Sequence, residues 1–298
     1  MPRKLKQSKP NIGVLLYTHN RVEDAYINQE IVRNVWERSG LFGSVTIVHA
    51  YNGKKSWYPK KYLEDVLIHR TNPGHYQGAS ELVDAGMNIF HRRFPTIRYL
   101  VVLAADTWLV QPEFVKNCIA TVQKKQLALA CSPWDVPQHG DIPEVGISLD
   151  FFIVDTLWDK RNHIFPLAYK QFYDRYADFI LYIKGSNVSA EKLFFARYLR
   201  ACGKEYGRNV GKRTYGLSKL LVMKERRPVH SHIDKRGFWI RKHFWPKIGL
   251  LTHHDPVVKQ KALRKFPRVA GKHAQKFRTA KNLAYFNRHV QIRGENPA

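Results

Sequence analysis

The chain has 298 residues, with 50 Lys and Arg against 24 Asp and Glu, and its formal net charge is +26. Apolar residues make up 44% of it and aromatic residues 13%, which is more than a disordered chain carries. A chain of this length buries about 75% of the surface that its unfolded form exposes, enough for one large core or two modest ones. The positive charge favours polyanionic partners, namely nucleic acid, anionic lipid, or phosphorylated and acidic sugars, without choosing among them.

Cysteine usage and hydropathy indicate the compartment. Cys118, Cys131 and Cys202 lie far apart and form no C-x-x-C pair, which favours a reducing environment over a disulfide scaffold or Cys-ligated zinc. The apolar stretch behind the basic start, residues 12–17, is too short for a signal peptide. No run approaches the roughly 18 apolar residues of a membrane span. We therefore expect a cytoplasmic protein, with a peripheral position at a membrane surface left open.

Short apolar runs alternate with segments of helical period through the first half, a pattern typical of βαβ units and a mostly parallel sheet. The predicted strands cover residues 12–18, 45–50, 66–70, 99–105 and 127–132. The predicted helices carry apolar faces within residues 31–36, 82–90 and 114–122. The last of them opens at Pro112, a residue that the first turn of a helix tolerates.

The second half is less regular. Residues 145–158 predict one or two strands at the edge of the sheet, 190–202 a helix and 219–225 a further strand. Residues 256–298 hold eleven Lys and Arg but a single acid, Glu295, and we interpret them as a basic extension. The predicted organisation is a basic tail, a domain in two halves and the extension: 1–10, 11–132 with 133–255, and 256–298.

Polar residues collect after the predicted strands. In open α/β sheets, ligands bind outside the carboxyl ends of the strands. The residues found there are Thr18, His19, Asn20, Arg21, Asn52, Gly53, Lys54, Asn72, Gly74 and Asp106. Asp106 directly follows the apolar strand 99–105, where a hard divalent cation bridging phosphates would need an oxygen ligand. A helix or turn cap is the alternative role for this Asp.

Three of these segments resemble motifs of family 2 glycosyltransferases. YTHNR, residues 17–21, is similar to the P-T-x-N-R start of that family, and AYNG, residues 50–53, sits where the family has an acidic pair before Gly. NPG at 72–74, followed by Gly78 and the Asp-Ala-Gly of 84–86, resembles the family's Gly- and Asn-rich loop and helix.

Two later segments extend the resemblance, which covers roughly residues 11–230. YLVVLAADTWLVQPEF, residues 99–114, is similar to the strand that ends in the metal-binding D-x-D and is followed by a Pro-Glu helix. AEKLFFARYLRACG, residues 190–203, resembles the helix that begins with an acidic pair and carries an Arg six residues later, here Glu191 and Arg197. Each motif is weak alone, and their order and spacing carry the resemblance.

The resemblance implies a GT-A-like doubly wound, mostly parallel sheet flanked by helices. It implies inverting transfer of a sugar from a nucleotide-diphosphate donor, a UDP-sugar in the first place, to a hydroxyl of an acceptor glycan or glycolipid. A divalent metal, Mn²⁺ or Mg²⁺, would be held by Asp106 with His230 or His232. Glu191 would be the general base, with Asp150 the next candidate. The donor-binding positions would be Thr18, Asn20, Arg21, Asn52, Gly53, Asn72, Gly74, Asp84 and Asp106.

The chain departs from the family pattern at three positions. Ala104 occupies the first position of D-x-D, Asn52 replaces an acid expected on the nucleoside, and Ala190 replaces one acid of the pair that ends in Glu191. An amide can still hydrogen-bond a base or ribose. A catalytically inactive relative therefore stays open. So does a non-catalytic binding module for nucleic acid or another polyanion.

Basic and His-rich segments near the end of the domain leave further alternatives. His230 and His232 lie on the same side of an extended chain. They could be metal ligands, or they could be two solvated side chains. With the cluster at 253–255 they could suggest a metal hydrolase, which we disfavour because its remaining ligands are not visible. Residues 235–247 interleave bases with aromatic residues, and could stack on sugars or bases, lie at an anionic membrane, or pack as a loop on the domain.

Overall fold

A computed structural model describes residues 9–58, 63–137, 143–172, 174 and 189–204, together with four short strands between 220 and 252. The basic tail up to residue 8, the His cluster at 253–255 and the basic extension 256–298 lie outside the described residues.

Seven strands form the main sheet, in the order β3-β2-β1-β4-β7-β6-β8. The pairs β3-β2, β2-β1, β1-β4 and β6-β8 are parallel, whereas β7 runs antiparallel to both β4 and β6. The strands are β1 (Ile12–Thr18), β2 (Val45–Tyr51), β3 (Val66–His69), β4 (Tyr99–Ala104), β6 (Leu129–Pro137), β7 (Pro143–Asp155) and β8 (Leu220–Val222). This mixed α/β architecture is compatible with the GT-A-like fold that the motifs imply.

A second, antiparallel sheet has the order β5-β11-β10-β9. Its strands are β5 (Trp108–Leu109), β9 (Pro228–Ile233), β10 (Trp239–Trp245) and β11 (Leu250–Thr252). Part of the segment 235–247, for which a packed loop was one interpretation, is therefore a strand. Because β5 follows β4 by only a few residues, the small sheet begins beside Asp106.

Helices cover both faces of the main sheet. They are α1 (Val22–Ile31), which continues as a π-helical segment (Val32–Glu37), α2 (His75–Arg93), α3 (Pro112–Lys124), α4 (Thr156–Asn162) and α5 (Ala190–Ala201), and a short 3-10 turn covers Lys55–Trp57. The apolar faces of α2 and α5 pack on one side of the sheet. The π-helical segment and α3 pack on the other. The sheet is thus buried between two apolar layers, as a doubly wound sheet requires.

Strand β1 lies at the centre of this arrangement. Its alternating side chains enter opposite cores, Leu15 below α2 and Val14 and Leu16 on the other face. Gly86 lets α2 approach closely, since a Cβ there would overlap the Leu15 side chain. The run of apolar residues that predicted a central strand is thus explained by burial on both faces.

The prediction for residues 145–158 is wrong in two respects. β7 lies inside the sheet between β4 and β6, not at its edge. The strand ends at Asp155, whose side chain accepts hydrogen bonds from the backbone N–H groups of Leu157 and Trp158 at 3.0 and 3.2 Å. This N-cap starts α4, so residues 156–158 are helical.

None of the helices within the described residues combines the length and the apolar character that are needed to cross a bilayer.

Glu23, in the first turn of α1, is a buried acid that the sequence did not single out. It is 1% exposed, and neither carboxylate oxygen has a hydrogen-bond partner in the described part of the chain. Burial raises the pKa of Glu23 to about 8, and the charges of Asp24 and Glu30 add to the shift. The carboxyl is therefore largely protonated at neutral pH.

Glu23 should make the folded state less stable in mild alkali. Because its folded pKa of about 8 exceeds the ordinary value of 4.5, its contribution to stability is complete below pH 4.5 and is lost as the pH rises through 8. We expect Glu23→Gln to raise the melting temperature relative to the unmodified chain at pH 9, with a smaller difference at pH 5. Glu113→Gln removes an exposed acid from the first turn of α3 as a control. The same difference at both pH values for Glu23→Gln would contradict the assignment.

Candidate active site

Three neighbouring strands align Tyr17, Ala104 and Asp150 at the carboxyl edge of the main sheet. Tyr17 of β1 pairs with Ala104 of β4. Leu103 pairs with Phe151 of the antiparallel β7, so the next pair along brings Asp150 beside Ala104. Directly paired residues point to the same face of a sheet, and Tyr17 packs against the core beneath α2 and α5. Asp150 therefore faces the side that carries α5.

The first turn of α5 brings Glu191 to this row. Ser189 is the N-cap, and its hydroxyl accepts a hydrogen bond from the N–H of Lys192 at 3.2 Å. Gly146 of β7 lets the helix lie directly on the strand, since a Cβ there would be 2.7 Å from the carbonyl carbon of Glu191. Glu191 itself is 9% exposed.

The charges of three predicted acids converge on Tyr17. Its pKa is raised well above the usual value, first by burial and then by Asp150, Glu191 and Asp106. The sequence placed these acids on three separate segments, and the fold brings all three within electrostatic range of one phenol. Tyr17 consequently stays protonated at neutral pH and can donate a hydrogen bond to an anionic group.

Arg21 links Asp106 to the start of α1. Its Nη1 lies 2.8 Å from Asp106 Oδ2, and its Nε lies 2.7 Å from Asp24 Oδ2. Asp24 is buried, whereas the side chains of Arg21 and Asp106 are each about one-fifth exposed. A guanidinium fixed by two carboxylates has a defined orientation at the mouth of the site.

Amide groups gather at the ends of β1, β2 and β3. The backbone N–H of Asn52 donates to the Thr18 carbonyl at 3.2 Å. Its side-chain Oδ1 lies 3.1 Å from His19 Nδ1, and its Nδ2 donates to Asn72 Oδ1 at 3.4 Å and to the Gly78 carbonyl at 3.3 Å. Residues from three motifs thus form one hydrogen-bonded cluster, which we call the amide cluster: Thr18, His19, Asn52, Asn72 and Gly78.

Glycines and a short turn complete this corner. Gly74 has φ of 128°, a conformation that favours glycine, and its N–H donates to Asn72 Oδ1 at 3.1 Å just before α2 begins. Gly53 allows a close backbone approach, since a Cβ there would overlap the carbonyl of His19. Asn20 lies half-buried in the turn between His19 and Arg21.

Asp84 and Arg197 hydrogen-bond to the backbone of the segment that follows α4. Both carboxylate oxygens of Asp84 accept backbone hydrogen bonds, from Leu167 at 2.5 Å and Ala168 at 3.0 Å. Burial raises the pKa of Asp84 to about 7, although these hydrogen bonds and the Arg197 charge oppose the shift. Arg197 donates to the carbonyl of Ile164 at 3.0 Å. Both residues thus hold the segment that follows α4, and contact of Asp84 with a donor stays a prediction.

The predicted metal ligands are Asp106 with His230 or His232. No group of three or more His, Cys, Asp or Glu side chains within the described residues is arranged to hold a metal ion. Of the predicted ligands, Asp106 lies at the site, while His230 and His232 are on β9, where their backbones pair with Lys242 and Ile240 of β10. The side chains of β9 are outside the described set. Carboxylate oxygens such as those of Asp106 fit a hard divalent cation chemically.

Two elements of this site were missed by sequence reasoning. Tyr17 stands where the family motif has Pro, so the resemblance drew attention to its neighbours instead. Gly146 lies within an apolar strand, and a glycine in that setting can mark a close backbone approach. That signal was present in the sequence but did not identify α5 as the approaching element.

Comparison with known proteins adds little. No protein-family model matches the sequence, and a search of curated proteins finds no match. Among solved structures, the chain is similar to a glycosyltransferase involved in the glycosylation of the major capsid of PBCV-1, with a TM-score of 0.32 and 11% sequence identity. The alignment covers 51% of this chain and 65% of that one. A similarity of this size says nothing about what the chain does.

The contact between Gly146 and α5 can be tested by overpacking. Gly146→Ala should lower the free energy of unfolding by about 1–3 kcal/mol, because the new methyl group meets helix backbone, which cannot rotate away as a side chain can. Urea unfolding followed by circular dichroism measures the change. An unaltered unfolding midpoint would show that the first turn of α5 does not rest on β7.

Proposed function

We propose that the chain is a GT-A-like, inverting glycosyltransferase that moves a sugar from a nucleotide-diphosphate donor to an acceptor hydroxyl. The observation that carries the proposal is that Asp106, Asp150 and Glu191, from three separate segments, lie around Tyr17 at the carboxyl edge of the sheet, as strand register and the packing of α5 on β7 show. The family-like motifs lie far apart in sequence, yet most of them meet at this edge. Ligands of doubly wound sheets bind at such an edge.

The amide cluster is suited to the nucleoside. Asn52 replaces an acid of the family pattern, and its side chain already bonds to Asn72 and His19. Amide groups both donate and accept hydrogen bonds, as base edges and ribose hydroxyls require. The glycines of this corner, Gly53 and Gly74, allow backbone groups to approach a ligand. A UDP-sugar is the first donor to test.

A carboxylate would activate the acceptor. Glu191 lies in the first turn of α5, where the helix dipole favours the ionised form. It would take the proton of the acceptor hydroxyl while that oxygen bonds to the anomeric carbon and the bond from this carbon to the diphosphate breaks. Positioned base catalysis of this kind contributes typically 10²–10⁴ in rate. Asp150, on the opposite side of Ala104 from Tyr17, is the second candidate for the base.

The charge balance of the site favours a cation. Arg21 faces Asp24 and Asp106, while Asp150 and Glu191 add two further carboxylates to the same edge. A diphosphate entering this edge needs positive charge beyond that of Arg21. A bound Mn²⁺ or Mg²⁺ would neutralise charge on the leaving diphosphate. Asp106 would hold this ion, with His230 or His232 as further ligands.

The acceptor we propose is a hydroxyl of a glycan or glycolipid. The basic extension 256–298 would guide the chain to an anionic acceptor or surface. The competing class is a non-catalytic module that holds nucleic acid or another polyanion. That class predicts tight polyanion binding without selectivity for a nucleoside diphosphate.

A thermal-shift panel of nucleoside diphosphates and nucleotide sugars, with and without Mn²⁺, separates the two classes. A ligand selective for the folded state raises the melting temperature by mass action. We expect one nucleoside diphosphate to stabilise the chain more than inorganic pyrophosphate does. Equal shifts with pyrophosphate and with every nucleotide would favour the polyanion module.

Replacing the base should separate binding from turnover. Glu191→Gln keeps the shape of the side chain but cannot take a proton, so turnover should fall by about 10²-fold or more while donor affinity is retained. Asp150→Asn is made in parallel, and Glu37→Gln, an exposed acid outside the site, is the matched control. Transfer assays with the donor found in the panel give both quantities. Near-normal turnover in Glu191→Gln together with loss in Asp150→Asn would move the base to Asp150.

Asp106 should control the response to metal. Asp106→Asn should abolish the Mn²⁺-dependent part of nucleotide affinity, because an amide is a weaker ligand for a hard cation than a carboxylate. Asp24→Asn removes the other carboxylate bound to Arg21 and controls for that ion pair. Calorimetric titration of nucleotide with and without Mn²⁺ measures the difference. An identical Mn²⁺ response in Asp106→Asn and the unmodified chain would contradict the metal assignment.

A further inference from the structure

The edge of the domain opposite the candidate site carries a concentration of bases. The strands β4 and β6 enter at this edge, so α2 and α3, which precede them, end there, whereas α4 begins there because the antiparallel β7 ends at Asp155. The ends of α2 and α3, the short helix α4 and the turn before β4 contribute seven Lys and Arg residues, which we call the basic edge: Arg92, Arg93, Arg98, Lys124, Lys125, Lys160 and Arg161. Five of them are exposed and form no ion pair within the described residues: Arg92, Arg93, Lys124, Lys125 and Arg161.

Hydrogen bonds around the start of α4 hold these turns together. The N–H of Thr156 donates to the Arg98 carbonyl at 2.8 Å, and its hydroxyl donates to the Ile97 carbonyl at 2.8 Å. The N–H of Asp155 donates to the Ala128 carbonyl at 3.0 Å, in the turn that follows Lys125. The ends of α2 and α3 therefore flank α4 as parts of one surface.

The acids of this surface are buried. In the described turns and helix ends of the basic edge, the acids are Asp155 and Asp159, which are 5% and 1% exposed. Asp155 pairs with Arg98 at 2.9 Å, and Asp159 lies 3.1 Å from His91 Nε2. Bases at helix C-termini also complement the helix dipoles, which accounts for the position of some of them. Dipoles do not account for the absence of exposed acids among the described residues between these bases.

An exposed apolar side chain lies within the basic edge. Leu157, in the first turn of α4, is 38% exposed, and the Arg161 Nε donates to its carbonyl at 3.3 Å. Aromatic rings are at least partly buried here, since Phe94 and Trp158 are half-buried among the described residues of this edge and Tyr99 is 4% exposed. Proteins that bind single-stranded nucleic acid rely on exposed rings for stacking. Bases around an exposed alkyl group instead suit the interface of an anionic bilayer.

We propose that the basic edge is a docking surface for an anionic lipid bilayer, with Leu157 entering the interface and the surrounding Lys and Arg side chains facing the headgroups. This surface consists of described residues of the domain and includes none of residues 256–298. It leaves the carboxyl edge, with the candidate site, facing away from the bilayer. The inference does not depend on glycosyl transfer.

Matched charge reversals in the full-length chain test the proposal. Lys124→Glu/Lys125→Glu changes the basic edge, and Lys54→Glu/Lys55→Glu changes two adjacent exposed Lys at the opposite edge by the same net charge. Sedimentation with phosphatidylcholine vesicles, with and without phosphatidylserine, measures binding. Each base near an anionic surface contributes about a fivefold factor, so removing two should weaken binding about 25-fold or more, with little change in the control. Equal losses in both variants would mean that binding follows net charge alone, and the proposal would be wrong.

Further variants control for helix stability and test the contribution of Leu157. If the reversal at α3 lowers the helix content, Lys124→Gln/Lys125→Gln against Lys54→Gln/Lys55→Gln gives the same comparison with less strain on the helix terminus. Leu157→Ser leaves the charge unchanged and should still weaken vesicle binding severalfold. Single-stranded RNA is tested with the same variants. If the chain binds this RNA more tightly than it binds vesicles, and if the basic-edge variants weaken RNA binding as much as vesicle binding, the ligand is a nucleic acid and the proposal is wrong.

Discussion

The antiparallel direction of β7 determines which residues meet at the candidate site. In a fully parallel sheet, the residues before Phe151 would lie at the amino edge, far from Tyr17. Because β7 runs against β4, Asp150 lies beside Ala104 at the carboxyl edge. The same strand carries Gly146, and the absence of a side chain there lets the first turn of α5 rest on the sheet with Glu191. Two acids of the site thus depend on one reversed strand.

The two edges of the domain differ in where their acids and bases lie, and their helices explain part of the difference. The N-termini of α3 and α5 face the carboxyl edge and favour nearby acids, here Glu113 and Glu191. The C-terminus of α3 faces the amino edge and favours bases such as Lys124. The acids at the carboxyl edge go beyond this effect, because Asp150 lies on a strand and Asp106 in a loop. No helix dipole favours these two carboxylates, so their position has to be explained by the rest of the site.

Many regular elements could be predicted from the sequence because local pattern determines them, and so could the positions of Asp106 after a strand and Glu191 in the first turn of a helix. Apolar runs predicted β1 and β4, and Pro112 marks the start of α3 as expected. The position of β7 could not be predicted, because an apolar strand has the same pattern inside a sheet as at a covered edge. Asp84 was predicted at the donor site from a local motif. Its carboxylate accepts hydrogen bonds from the N–H groups of Leu167 and Ala168, which follow it in the sequence by 83 and 84 positions. Such long-range hydrogen bonds leave no periodic signal in a sequence.

The neighbours of Ala104 disfavour a carboxylate at this position, where the D-x-D motif that the segment resembles has an acid. Ala104 is 6% exposed and lies between Tyr17 and Asp150 on the same face of the sheet. A carboxylate at this position would be desolvated and would stand beside another carboxylate, two effects that each disfavour its ionised form. Tyr17, which pairs with Ala104 from the other side, has a raised pKa and stays a neutral donor. Ala104 therefore leaves the end of β4 uncharged, and the carboxylates around it come from its neighbours, Asp150 on β7 and Asp106 in the loop after β4.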